Sequence, residues 1–208
     1  MENKKIDIKK LTTISILVAL QIVLSATPIG FIPLGFTRAT TIHIPVIIGA
    51  ILMGPKVGAL LGGVFGVLSL ITNTIAPTAT SFVFSPFYSI GGTSGNLWSL
   101  VICFVPRILI GVFAGYLYLF LQKKNLPKVF SCAAAGVVGS LTNTLLVMGG
   151  IFLFFGQSYA QARKVAFEQL FGVIAGIIGI NGLPEAVVAG VLCAAITVPL
   201  LKINKTNS

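Results

Sequence analysis

Charge is what this sequence has least of. Only 9% of its 208 residues are charged and four are acidic, whereas a soluble domain carries roughly 25% charge. There is one histidine, His43, so a histidine cluster for a metal cannot form. The chain has no HExxH, no GxSxG and no paired carboxylates inside its apolar runs, which leaves no protease, esterase or similar enzyme signature. It has no GxxxxGK[ST] loop, so it cannot use ATP by itself. It also lacks the row of ionisable residues that proton-coupled carriers place within the membrane. Cys103, Cys132 and Cys193 each stand alone in an apolar run, with no CxxC pair, and read as small buried hydrophobes. No catalytic residue, cofactor or metal is expected.

What is present is apolar surface. The hydrophobic fraction is 56% and the mean hydropathy +1.03, which makes this an integral, multi-pass membrane protein over nearly its whole length. The net charge of +10 does not indicate nucleic acid. The basic residues fall in short clusters between apolar runs, not in a patch with aromatics beside it. The basic start MENKKIDIKK is not followed by a signal-peptide cleavage pattern, because the next segment flows through Thr27-Pro28-Ile29-Gly30 into another span.

The expected fold is an all-α membrane protein forming a single domain. Its six transmembrane helices lie at about 11–26, 41–53, 57–72, 98–121, 129–155 and 183–201. The second is short and meets the third at Gly54-Pro55, where proline suits a first helical turn. Residues 28–38 read as a loop. Residues 73–97 carry no charge and are rich in Ser, Thr, Gly, Pro and aromatics. They are too long for a simple connector and read as an outer lid or re-entrant segment. Residues 156–170 read as polar and partly helical, and 171–181 as glycine-rich. With both termini in the cytoplasm, Lys4, Lys5, Lys9, Lys10, Lys56, Lys123, Lys124, Lys128, Lys202 and Lys205 lie inside. Arg38, Arg163 and Lys164 lie outside. This asymmetry obeys the positive-inside rule, and it collapses if residues 42–72 form one span instead of two.

Two sets of residues stand out. Gly58, Gly62 and Gly66 recur every fourth residue and leave a helix face almost without side chains. Ser15 and Ala19 repeat the small-xxx-small spacing in the first span. Such faces let helices approach closely, either within this chain or against a partner protein. The second set is polar. Arg107 lies inside the fourth span, where a lipid-facing charge costs about 2.5–3.5 kcal/mol, so it faces protein, water or a ligand. Pro106 before it suggests an early helical position. Two readings stand: Arg107 binds an anion such as a carboxylate, or it pairs with Glu185 at similar depth. Asn96, Asn143 and Asn181 join neighbouring helices or hydrogen-bond a ligand. His43 caps the second span or contacts ligand. Trp98 and Tyr88 belong to an interfacial belt or stack on a ligand.

The run IPVIIGAILMGPKVGALLGGVFG at 44–66, the small first-span residues Ser15 and Ala19, the TNT at 142–144 and NGLPEAVVAGVL at 181–192 together resemble the substrate-binding S components of energy-coupling factor (ECF) transporters. The resemblance covers essentially the whole chain. It implies a vitamin-binding pocket on the outer side. It also implies docking of the small faces of spans one to three on a transmembrane coupling protein, with two cytosolic ATPases supplying energy. Within that family the chain looks most like members assigned to pantothenate. Riboflavin or folate remain alternatives, and so does a membrane scaffold with no small ligand. No inverted repeat supports a stand-alone channel or facilitator.

Overall fold

A computed structural model describes residues 8–27, 30–34, 37–90 and 92–206. The basic tail before residue 8, with Lys4 and Lys5, lies outside them, as do the side chains of Arg38 and Lys205. Helix α1 spans Ile8–Ala26 and is followed by an antiparallel hairpin, β1 Phe31–Leu34 and β2 Thr37–Thr40, in register Phe31 to Thr40 and Leu34 to Thr37. Then come α2 His43–Met53, α3 Pro55–Ile75, a small ladder of β3 Ser89–Ile90 with β4 Thr93–Ser94, α4 Leu97–Lys123 and α5 Lys128–Arg163. Helix α6 Leu170–Ile177 runs through a wide turn, Ile178–Gly182, into α7 Leu183–Thr206. Among the described residues, five helical segments are long and apolar enough to cross a membrane, and α2 is a shorter apolar one.

The short α2 is the axis of the fold. Every residue from His43 to Ile51 is buried, and α1, α3, α4, α5 and α7 all pack on it. Its neighbours Leu61, Phe65, Ile110, Cys132 and Ala189 complete one apolar cluster. Met53 gives way to Gly54 at φ +92°, a left-handed conformation that favours glycine. Pro55 then opens α3. Helix α1 is the peripheral one, with Leu17 and Gln21 as its buried residues. Gln21 Nε2 donates to the Leu61 carbonyl at 3.3 Å, a polar tie between α1 and α3.

The glycine strip meets α4, so of the two readings of Gly58, Gly62 and Gly66 the packing within this chain is the one seen, in place of a partner interface. A Cβ on Gly58 would lie 2.9 Å from the Gly111 Cα, one on Gly62 would collide with the Arg107 carbonyl, and one on Gly66 would lie 2.7 Å from the Phe104 ring. Gly111 and Gly115 present the matching strip, facing Gly58 and Pro55. Backbone packs on backbone along this seam, the closest approach that van der Waals attraction between helices allows. Ser15 and Ala19, in contrast, are exposed on α1.

Two further segments are more regular than the sequence alone indicates. The expected end of the fifth span at residue 155 falls on a kink, with non-helical dihedrals at Phe155 (φ −131°, ψ 15°), and the helix resumes beyond it to Arg163, in keeping with the partly helical reading of 156–170. Residues 170–182 are helical throughout. Between α3 and α4, a 3-10 turn at Ser81–Val83 folds inward. Phe82 and Val83 are fully buried against Ile102, Ile151, Phe155, Tyr159 and Leu170. No long helix enters from this segment, which acts as a cap. Cys103, Cys132 and Cys193 are free and buried.

Candidate functional site

Between the α2 cluster and the cap lies a cavity of about 530 Å³. Its walls are the last turns of α3, the cap residues Thr78–Thr80 and Phe84, Arg107 of α4, the second half of α5, and the wide turn into α7. Phe65, Val147, Met148 and Ile151 give it apolar surface, and a few polar groups converge on it, the usual make-up of a small-molecule site.

Arg107 is the most constrained of these groups, and the cause is local. Pro106 has no N–H, so the Ile102 carbonyl four residues earlier loses its helical donor. Arg107 Nη1 donates to that carbonyl at 2.6 Å. The guanidinium carbon then lies 5.0 Å from the Phe84 ring centre and 5.5 Å from that of Phe65, within cation–π range. The side chain is 6% exposed and Nε has no hydrogen-bond partner. Among the described residues it forms no ion pair, so the expected alternative of an Arg107–Glu185 bridge is not realised. Glu185 Oε1 accepts from the Thr40 backbone N–H at 3.1 Å and lies 3.5 Å from His43 Nδ1.

Asn143 and Asn181 both line the cavity. They are buried, and Oδ1 of each lacks a partner. The wide turn at Ile178–Gly182 inserts an extra residue into the helix, a feature frequent at functional sites. It brings Asn181 and Glu185 into the same wall.

Four other expected ligand contacts do not line the cavity. Asn96 is the N-cap of α4: its Oδ1 accepts from the Trp98 N–H at 2.9 Å while Ser99 Oγ accepts from the Asn96 N–H at 3.0 Å. Trp98 stacks on Phe154 at 4.1 Å and 8° on the lateral surface. Tyr88 packs against the cap cluster. His43 lies behind Glu185, fully buried at the start of α2.

Other residues in and around the cavity were not singled out by the sequence as ligand contacts. Asn73 Nδ2 donates to the Ser69 carbonyl at 2.8 Å, and its Oδ1 accepts from Ser81 Oγ at 2.8 Å. Thr74 and Ser85 hydroxyls meet at 2.7 Å. These bonds clasp the cap to α3. At the rim, Arg163 donates through Nε and Nη2 to the Tyr159 hydroxyl at 3.2 and 3.0 Å, and Lys164 lies beside it. The available signal was charge: Arg163 and Lys164 fall on the side opposite the lysine clusters.

Chemically the site offers a buried cation without a counter-ion, unpartnered amide oxygens and apolar wall. That suits a small, polar, anionic ligand. The family model for the substrate-specific component of ECF transporters matches residues 9–197. The chain belongs to that family. It is therefore a multi-pass cell-membrane transport component and not an enzyme, and ECF S components work with a coupling protein and ATPases. Two relatives of this S component are named for their cargo. It is 40% identical over 172 residues, 82% of this chain and 81% of the relative, to the pantothenic acid transporter PanT of Lactococcus lactis subsp. cremoris. It is 28% identical over 207 residues, 94% of this chain and 93% of the relative, to the pantothenate transporter PanT of Leuconostoc mesenteroides subsp. mesenteroides.

Proposed function

We propose that this S component captures pantothenate on the outer side of the cell membrane and passes it inward with a coupling protein and two ATPases. The carrying observation is Arg107, a buried guanidinium with no carboxylate partner among the described residues, which lines the cavity. Pantothenate has one carboxylate, an amide and two hydroxyls. Its carboxylate supplies the counter-ion, and its gem-dimethyl group suits the Val147–Ile151 wall. The names of the two relatives support the same substrate. Riboflavin and folate fit less well. They need flat stacking surfaces, and the Phe65 and Phe84 rings are already engaged with the guanidinium. A scaffold without a ligand leaves the unpartnered buried groups unexplained.

The same proposal includes a six-span topology with both termini inside, α2 counting as one span. Lys56, Lys123, Lys124 and Lys128, at the helix ends away from the cavity, support it. The coupling protein docks on the exposed small-residue face of α1, at Ser15 and Ala19.

The test is thermal stability of the detergent-purified chain against a vitamin panel. A ligand at 100-fold excess over its dissociation constant stabilises by about 2.7 kcal/mol. Pantothenate alone should raise the transition, and Arg107→Ala should abolish that rise. A shift with another vitamin only, or an undiminished shift in Arg107→Ala, defeats the assignment.

A further inference from the structure

Beyond Arg107 Nε, the cavity-wall residues Asn143 and Asn181 each carry a buried amide oxygen without a partner among the described residues. The two side chains are 8% and 7% exposed. An unsatisfied buried acceptor is costly, so a ligand donor that reaches these oxygens offsets that cost. Glu185 adds a third acceptor to the same wall. A carboxylate accepts only. Both of its protein contacts, the Thr40 N–H at 3.1 Å and His43 Nδ1 at 3.5 Å, fall on Oε1. Neither contact commits Oε2. His43 is 1% exposed and neither ring nitrogen has a hydrogen-bond partner. The imidazole has the Glu185 carboxylate and the Thr40 backbone as polar neighbours, and it stands behind the carboxylate instead of lining the cavity.

We propose that Glu185 is the specificity-determining residue for the hydroxyl end of the ligand, and that His43 is a positioning residue whose imidazole, 3.5 Å from Oε1, backs the Glu185 carboxylate toward the cavity. The proposal rests on the reading of pantothenate as the ligand. Its ionised carboxylate has no hydrogen to give and would be repelled by Glu185, so it goes to Arg107. The terminal hydroxyl, farthest from the carboxylate, then donates to Glu185, with the second hydroxyl and the amide N–H left for the asparagine oxygens. Like-charge exclusion at one end and ion pairing at the other fix a single orientation.

The experiment measures binding of three probes to the full chain in detergent by calorimetry. The probes are pantothenate, 4′-deoxypantothenate, which lacks the terminal hydroxyl, and pantothenol, in which the carboxylate is replaced by an alcohol. The wild-type chain should prefer pantothenate to the deoxy compound by about 10–100-fold, since a site built for a hydroxyl rejects an analogue lacking it. Glu185→Gln, nearly isosteric, should cut that preference to about threefold or less without lowering the pantothenate-to-pantothenol ratio, which is set at Arg107. His43→Leu should have the same effect, and His43→Asn, whose amide can stand in for Nδ1, should restore the preference. Equal weakening of all three probes in these variants overturns the proposal, as that is what a merely structural role produces. Equal wild-type affinity for pantothenate and its deoxy form overturns it while pantothenate stands as substrate. No wild-type binding of any probe overturns both.

Discussion

Gly62→Ala adds one methyl group at the point where α3 rests on the backbone of Arg107. That methyl would overlap the Arg107 carbonyl oxygen and lie 2.8 Å from the Ile108 Cα. The obstacles are backbone atoms, which cannot swing aside as a side-chain tip does. Restoring ordinary contact requires α3 and α4 to part by about 1 Å, and overpacking of this kind costs about 1–3 kcal/mol. Alanine also gains up to about 1 kcal/mol over glycine in helix propensity, which would blur the measurement. Gly63 provides the control, because a Cβ there meets nothing within 4 Å. In the difference between Gly62→Ala and Gly63→Ala the propensity gain cancels and the steric cost remains. The assay is unfolding of each purified variant by SDS titration in mixed micelles, followed by pantothenate titration. Gly62→Ala should be less stable than Gly63→Ala by about 1–3 kcal/mol. It should also bind pantothenate at least about tenfold more weakly, because the Arg107 guanidinium moves with its helix. Gly63→Ala should match the wild type or exceed it in stability. Equal stability and equal affinity for the two variants would refute the claim that the glycine seam positions the site.

Pro106→Ala returns an N–H to the Ile102 carbonyl and releases Arg107 Nη1 from it; the ligand-free protein should be no less stable, yet calorimetry should show pantothenate affinity several-fold lower, as preorganisation is lost. Phe84→Ala removes the nearer ring from the guanidinium, a contact of about 0.5–2 kcal/mol, and should weaken binding by a factor of about 2–30 in the same titration. Replacing Ser15 and Ala19 by leucine should leave ligand binding by the isolated chain intact while uptake of labelled pantothenate by cells falls, because these side chains face outward on α1.

Arg107 was legible in the sequence because a lone cation in an apolar run has few physical resolutions, and Pro106 beside it marked an altered helix. Its lack of an acid partner was not, since that depends on Thr40 and His43 reaching Glu185 first. The glycine spacings at 58, 62 and 66 and at 111 and 115 were both visible. Which face met which could be decided only by tertiary packing, and the two strips turned out to be each other's partners. The polar Gln157, Ser158, Gln161 and Arg163 mark a segment read as partly helical, and they lie on the helix beyond the kink at Phe155. They are helical residues whose neighbour Tyr159 carries the cavity wall. Gly172, Gly176 and Gly179 marked 171–181 as glycine-rich without fixing its structure; a Cβ at each would meet open space, and the helix continues past them. The hairpin at 31–40 was obscured by Pro33 and Gly35, which signal a turn without revealing that its flanks pair.

The fully enclosed α2 bears on how the chain enters the bilayer. At 11 residues it is about 16 Å long, roughly half the hydrocarbon thickness of about 30 Å. An inserting chain therefore cannot park it in lipid alone while the later helices are being made. Helices α2 and α3 have to go in as one hairpin folded at Gly54, with α4 arriving to cover the exposed backbone of α3. A bulky residue at Gly54 should therefore lower the yield of inserted protein before it alters any property of the protein that does insert.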